Sequence, residues 1–197
     1  IDEIFIVTNN KFFTNFLEWA SDFESKTKIT IVNDRTKSNN DRLGSLGDIK
    51  YVVENMDVTE DILVIAGDNL FEFSLKEIVN LYKGKNLPVV ALYDVKDIEL
   101  AKLYGVVSID KENKITHFQE KPENPESTLA STGIYIYPED AVKKLIEFVN
   151  THDADKAGDF LEWLHEKEDI YCYVTDKNWF DIGSLDQLEK ARDKFRG

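Results

Sequence analysis

The chain has 197 residues, 42% hydrophobic and 31% charged, with a net charge of −14 at pH 7. That balance suits a globular protein and gives no basic footprint for a nucleic-acid partner. No apolar run reaches the roughly 18 residues needed for a membrane helix. A single cysteine, Cys172, excludes an internal disulfide and fits a reducing, cytoplasmic setting. The chain begins at Ile1 and enters an apolar run at once, so the natural protein is expected to extend further at its N-terminus.

Taken in order, strand-like runs alternate with helical patterns. Residues 3–8 read as a strand, followed by Phe12, Phe13, Phe16, Leu17 and Ala20 at helical spacing. A second strand spans 28–33, and Leu43, Leu46, Ile49, Val52 and Val53 mark a second amphipathic helix. Residues 61–66 form a nearly continuous apolar run, expected to be a strand buried on both faces. Ser74 and Glu77 have the spacing of a capping box, opening a helix that ends near Gly84. Residues 88–95 read as another buried strand, and 105–110 with 114–120 as an antiparallel hairpin.

A strand over 131–137 then precedes a helix opened by Pro138, with Ala141, Val142, Leu145, Ile146 and Val149 on one face. Phe160, Leu161 and Leu164 suggest a short helix, and 170–174 a strand holding Cys172. Ser184 and Gln187 cap the last helix, expected to turn Leu185, Leu188, Ala191 and Phe195 inward. No repeat, low-complexity tract or linker interrupts the chain. The pattern predicts one domain over residues 1–197: an α/β, three-layer fold with a mixed, mostly parallel sheet and a small hairpin insertion.

Chemistry concentrates at strand ends. Asp68, in Gly67-Asp68-Asn69, lies just past the carboxyl end of an apolar strand, where open α/β sheets place ligands. Gly67 admits a turn or a close ligand. Asp181 ends the short run Trp179-Phe180-Asp181 before a capped helix. Two such carboxylates suit Mg²⁺, which takes one or two carboxylates plus substrate phosphates, although each alone also reads as a turn residue. Lys121 is a compact charge suited to phosphate, and Pro122 after it biases it toward an extended backbone. Glu120 can accept hydrogen bonds from hydroxyls. Gly105 admits a ligand or ends a helix. Gly133, beside Thr132, marks a bulge or a close approach in a bulky strand. The three histidines, His117, His152 and His165, share no metal-ligand spacing.

In chain order, Gly67-Asp68-Asn69, Tyr104-Gly105-Val106-Val107, Glu120-Lys121-Pro122, Thr132-Gly133-Ile134-Tyr135 and Trp179-Phe180-Asp181-Ile182-Gly183 resemble the sugar-phosphate nucleotidylyltransferase family. The likeness runs from Ile4 to about Ala191. It implies transfer of a nucleotidyl group from a nucleoside triphosphate to a sugar 1-phosphate, with release of pyrophosphate. It further implies that Asp68 and Asp181 hold Mg²⁺, that Lys121 binds the sugar phosphate and that Glu120 binds sugar hydroxyls. Gly67, Asn69, Gly105, Thr132 and Gly133 would line the substrate site. The stretch Arg42-Leu43-Gly44-Ser45-Leu46-Gly47 resembles the segment that contacts the nucleobase, through Gly44, or is a plain helix start.

The family's glycine-rich, arginine-bearing triphosphate loop has no counterpart here, so the chain is expected to be N-terminally truncated and inactive alone. Two alternatives are a non-catalytic sugar-nucleotide-binding module of the same fold and a cytidylyltransferase for another phosphorylated alcohol. Trp19 and Trp163 are candidates for packing inside the domain or across a homo-oligomer interface.

Overall fold

A computed structural model describes residues 1–195. It divides into two compact units, one of residues 1–59 with 145–157 and the other of residues 60–144 with those from 158 onward.

In the first unit, β1 (Glu3–Thr8), α1 (Phe13–Asp22) and β2 (Lys28–Asn33) form a strand-helix-strand segment, followed by α2 (Gly44–Asn55). The two strands pair in parallel, from Glu3 opposite Lys28 to Thr8 opposite Asn33. The β-branched and apolar residues of both strands suit this ladder, which pairs one edge of each strand. The expected inward face of α1 is not buried. Phe12, Phe16 and Leu17 all stay more than a third exposed, and the helix contributes no buried residue. A two-stranded sheet is too narrow a surface to cover an apolar helix face, and the aromatics pack locally instead, Trp19 stacking on Phe23 at 4.8 Å.

The second unit contains β3 (Ile62–Ile65), β4 (Asn69–Phe71), α3 (Leu75–Lys85), β5 (Val89–Asp94), α4 (Ile98–Ala101), β6 (Gly105–Ile109), β7 (Ile115–Glu120) and β8 (Leu129–Tyr137). There follow α5 (Glu139–Thr151), whose last turns belong to the first unit, α6 (Ala157–His165), β9 (Tyr171–Thr175), β10 (Trp179–Asp181) and α7 (Leu185–Lys194). Five strands lie in the order β7-β6-β8-β5-β9, with β3 also pairing to β8. The sheet is mixed. β5 and β9 run parallel, β8 is antiparallel to β3, β5 and β6, and β6–β7 is the expected hairpin.

The strand period of two sorts the core. Ile134 and Ile136 of β8 join Val89, Ala91, Ile78 and Tyr82 on the face covered by α3. Tyr135 and Tyr137 stack on each other on the opposite face, where Phe160 of α6 meets Tyr137 edge-on at 5.4 Å. Helices thus cover both faces of the mixed sheet, as the alternating pattern implies.

Three local expectations change. β3 is only partly buried, with Ile65 40% exposed, because it pairs with β8 alone among the described residues. α3 runs past Gly84 to a left-handed cap at Asn86, and Glu77 bonds the Tyr173 hydroxyl while Ser74 Oγ accepts from Lys76 N–H. Along α7 and its C-cap, Leu185 is 79% and Phe195 43% exposed, against the expected inward face, while Ala191 is buried. The capping box of α7 does form, with Ser184 Oγ accepting from Gln187 N–H and Gln187 Oε1 from Gly183 N–H.

One buried group in the first unit sets a pH dependence. Asp48 of α2 has a buried Oδ1 with no partner among the described residues. Burial, and then the neighbouring Asp34 carboxylate, push its carboxyl up to about 6. A carboxyl with a raised folded-state value adds stability below its unfolded value and loses it as pH rises through about 6. Asp48→Asn should therefore raise the thermal midpoint by about 2 °C at pH 7.5 and leave it unaltered at pH 4, as melting curves at both pH values would show.

Candidate active site

The site is assembled by a short pairing between distant segments. β4 and β10 run antiparallel with Asp181 opposite Asn69, and Ile182 N–H donates to the Asp68 carbonyl at 2.9 Å. The turn carrying Asp68 is held from three sides. Ala66 N–H donates to Gly133 O at 2.9 Å, and Asn69 N–H to Ala66 O at 3.2 Å. The Asn69 amide bridges the two motifs, donating to Asp68 Oδ1 at 2.8 Å and accepting from the Trp179 indole N–H. Gly133 makes the close approach possible. Its φ is +73°, and a Cβ there would lie 2.9 Å from the Ala66 Cβ and 3.5 Å from Asn69 Nδ2. Beside the turn Gly67 is exposed, with open space where its side chain would be.

The electrostatics follow from this placement. Burial raises the Asp181 carboxyl above its ordinary range, the Asp68 charge raises it further, and Lys121 partly offsets both. Asp181 therefore feels both the Asp68 charge and the Lys121 charge across the site. Tyr104, which packs edge-on against Trp179 at 5.2 Å, has its hydroxyl pushed up by burial and then by Asp181. A cavity of about 150 Å³ opens beside Asp181, walled by Tyr93, Leu100, Tyr104, Trp179 and Lys190.

Lys121 departs from the extended backbone that Pro122 favours: its φ is +46°. Glu120 is held opposite Gly105 in the β6–β7 ladder, and Lys121 N–H donates to Tyr104 O at 3.0 Å, so the chain must reverse immediately after its last pairing. A left-handed residue other than glycine costs about 1–2 kcal/mol, a strain that concentrates at functional sites. Glu120 lies against the opposite strand: a Cβ on Gly105 would stand 3.1 Å from Glu120 Oε2 and 2.9 Å from Phe118 Cζ.

Two of the sequence candidates have structural partners of their own. Thr132 is 1% exposed, and its hydroxyl donates to Ala91 O at 2.9 Å, where the β5–β8 register slips. Its side chain closes a gap in the ladder. Gly44 lies in the other unit. Its φ is +74°, and a Cβ there would meet Asp155 Cβ at 2.5 Å. Ser45 Oγ and Leu46 N–H donate to Asp155 O, and Arg42 pairs with the Asp155 carboxylate at 2.7 Å. Within its own unit this segment is a helix start clamped onto the loop at Asp155.

The bridging amide of Asn69 and the aromatic wall of Tyr104 and Trp179 were not legible as such beforehand. The aromatic residues inside two acidic or glycine motifs were their only signal. Among the described residues no three His, Cys, Asp or Glu side chains gather into a metal cluster. A pair of carboxylates meets what Mg²⁺ requires from protein when substrate phosphates supply the remaining oxygens.

The fold recurs among solved structures. A Bacillus anthracis protein assigned as a glucose-1-phosphate thymidylyltransferase, in complex with sucrose, superposes with a TM-score of 0.81 at 21% identity, covering 100% of this chain and 77% of that one. A UDP-glucose pyrophosphorylase complexed with UDP-glucose gives 0.79 at 22%, covering 98% and 81%. In sequence, the glucose-1-phosphate adenylyltransferase of Clostridium acetobutylicum is 28% identical over 147 residues, 72% of this chain and 38% of the relative. The Thermosipho africanus enzyme of the same name is 30% identical over 149 residues, 71% and 36%. The chain thus spans little more than a third of these relatives' length. The profile of the Nucleotidyl transferase family matches residues 1–196, and the chain belongs to that family.

Thr132→Val separates a structural from a ligand role at that position. It strands the Ala91 carbonyl and should lower stability by about 1–3 kcal/mol in denaturant titrations, with no loss of ligand affinity beyond what that destabilisation brings. A selective loss of affinity would restore Thr132 to the site.

Proposed function

We propose that this chain serves as the catalytic domain of a Mg²⁺-dependent sugar-1-phosphate nucleotidylyltransferase, acting in the cytoplasm on a nucleoside triphosphate and a sugar 1-phosphate. The observation that carries the reading is the β4–β10 pairing, which brings Asp68 and Asp181 together within electrostatic reach of Lys121. Family membership and the sugar-nucleotide relatives support it.

In the reaction, an oxygen of the sugar 1-phosphate attacks the α-phosphorus of the triphosphate. A P–O bond forms there as the bond to the β-phosphate breaks, and pyrophosphate leaves with the electron pair. The attacking oxygen is already ionised near neutral pH, so the protein needs no general base. Its task is to bring two anions together in line. Lys121 neutralises and orients the attacking phosphate. Glu120 accepts hydrogen bonds from the sugar hydroxyls, and Gly105 and Gly67 leave room for ligand against the backbone. Asp68 and Asp181 would hold the Mg²⁺, which when bound supplies charge neutralisation at the phosphate oxygens. Asn69 keeps Asp68 aimed into the site through its bridge to Trp179.

The intact protein with Mg²⁺, tested with a panel of triphosphates against glucose and mannose 1-phosphates, should release pyrophosphate for at least one pair. Asp68→Asn and Asp181→Asn should each lower kcat by about 100-fold or more, the usual weight of a preorganised charge contact in the transition state. Turnover equal to the parent in both variants would remove the metal assignment. Silence across the whole panel would favour a binding module of the same fold.

A further inference from the structure

Gly158 lies in the first turn of α6 without a backbone reason to be glycine. Its φ is not in the left-handed region. In a helix, glycine is less favourable than alanine. What distinguishes the position is clearance. A Cβ on Gly158 would stand 2.9 Å from Glu120 Oε2 and 3.1 Å from Phe118 Cζ. The same two groups crowd Gly105 from β6, where a Cβ would lie 3.1 Å from Glu120 Oε2 and 2.9 Å from Phe118 Cζ. Two glycines on separate elements therefore bound one carboxylate and one ring.

The ring cannot yield, because Phe118 is 3% exposed inside the core. The carboxylate ends a flexible side chain and can. Burial chiefly, and to a lesser extent the nearby Glu120 charge, raise the Tyr135 hydroxyl's pKa, and Tyr135 is itself tied to Ser131 at 3.1 Å. A methyl group at residue 158 would thus displace the carboxylate before it disturbed the fold.

We propose that Gly158 is a positioning residue for sugar recognition: with Gly105 it forms a two-sided slot that holds Glu120 in the orientation that accepts the sugar hydroxyls. The inference rests on the reading of Glu120 as the hydroxyl acceptor. Gly158→Ala should raise KM for the sugar 1-phosphate about tenfold, the weight of one hydrogen bond to a charged group. The triphosphate KM and kcat should hold within about twofold, since binding is lost equally from ground and transition states. Shortening the acid in the same background, as Gly158→Ala with Glu120→Asp, should recover part of the affinity. Adding Gly158→Ala to Glu120→Ala should cost nothing more, because the two changes act through one group.

Steady-state kinetics on these variants of the intact protein, with circular dichroism to confirm folding, decides the matter. If Glu120→Ala raises the sugar KM and Gly158→Ala does not, or if their effects add, the positioning role fails alone. If Glu120→Ala leaves that KM unchanged, the reading of Glu120 fails and the slot with it. Should Gly158→Ala unfold through its contact with the ring, Phe118→Leu with Gly158→Ala relieves that contact, and a sugar KM equal to that of Phe118→Leu alone overturns the proposal.

Discussion

A pairing of three residues with three organises the candidate site. Asn69 and Trp179 stand 110 residues apart in the chain, yet the indole N–H meets the Asn69 amide oxygen, and the other end of that amide meets Asp68. The backbone bond from Ile182 to Asp68 closes the same junction. Neither carboxylate is placed by its own segment alone. Each depends on the antiparallel register that sets Asp181 opposite Asn69, and that register depends on Gly133 allowing β8 to pass close beside the Ala66 turn.

The arrangement works against local stability. Two aspartates are drawn together, one of them partly desolvated, so that its charged form is disfavoured in the absence of a cation. Lys121 is held in a left-handed conformation that its neighbour Pro122 opposes. Chains that violate local rules at one place usually do so where function requires it. These two departures fall on residues with candidate roles, while the first four residues of β5 behind them are wholly apolar and buried.

Much of the second unit was legible because its elements carry strong periodic signals. The hairpin of β6 and β7, the capped start of α7 and the buried β5 follow from local chemistry alone. The departures share a cause. Burial of α1, β3 and Leu185 was inferred from apolar composition, but composition states what a face would bury, and only the surrounding elements decide whether anything covers it. For the site, the chemistry-bearing residues Asp68, Asp181, Lys121 and Glu120 could be picked out by type and position. The bridging of Asn69 could not, since an asparagine after a strand reads equally well as a turn. Thr132 shows the converse. A conspicuous hydroxyl in a glycine-bearing strand reads as a ligand contact, and in the structure it donates to Ala91 O at a register slip that no local pattern announces.

The indole of Trp179 carries one further consequence. It lies two residues from Asp181 and is 9% exposed, fixed by its hydrogen bond to Asn69 and packed against Tyr104. Trp19, by contrast, is 42% exposed and lies in the other unit. An excited indole shifts its emission with the polarity around it and with the strength of its N–H bond. The protein therefore contains a native optical probe wired to the acidic junction through a single amide, and its colour will record events there without any label being attached.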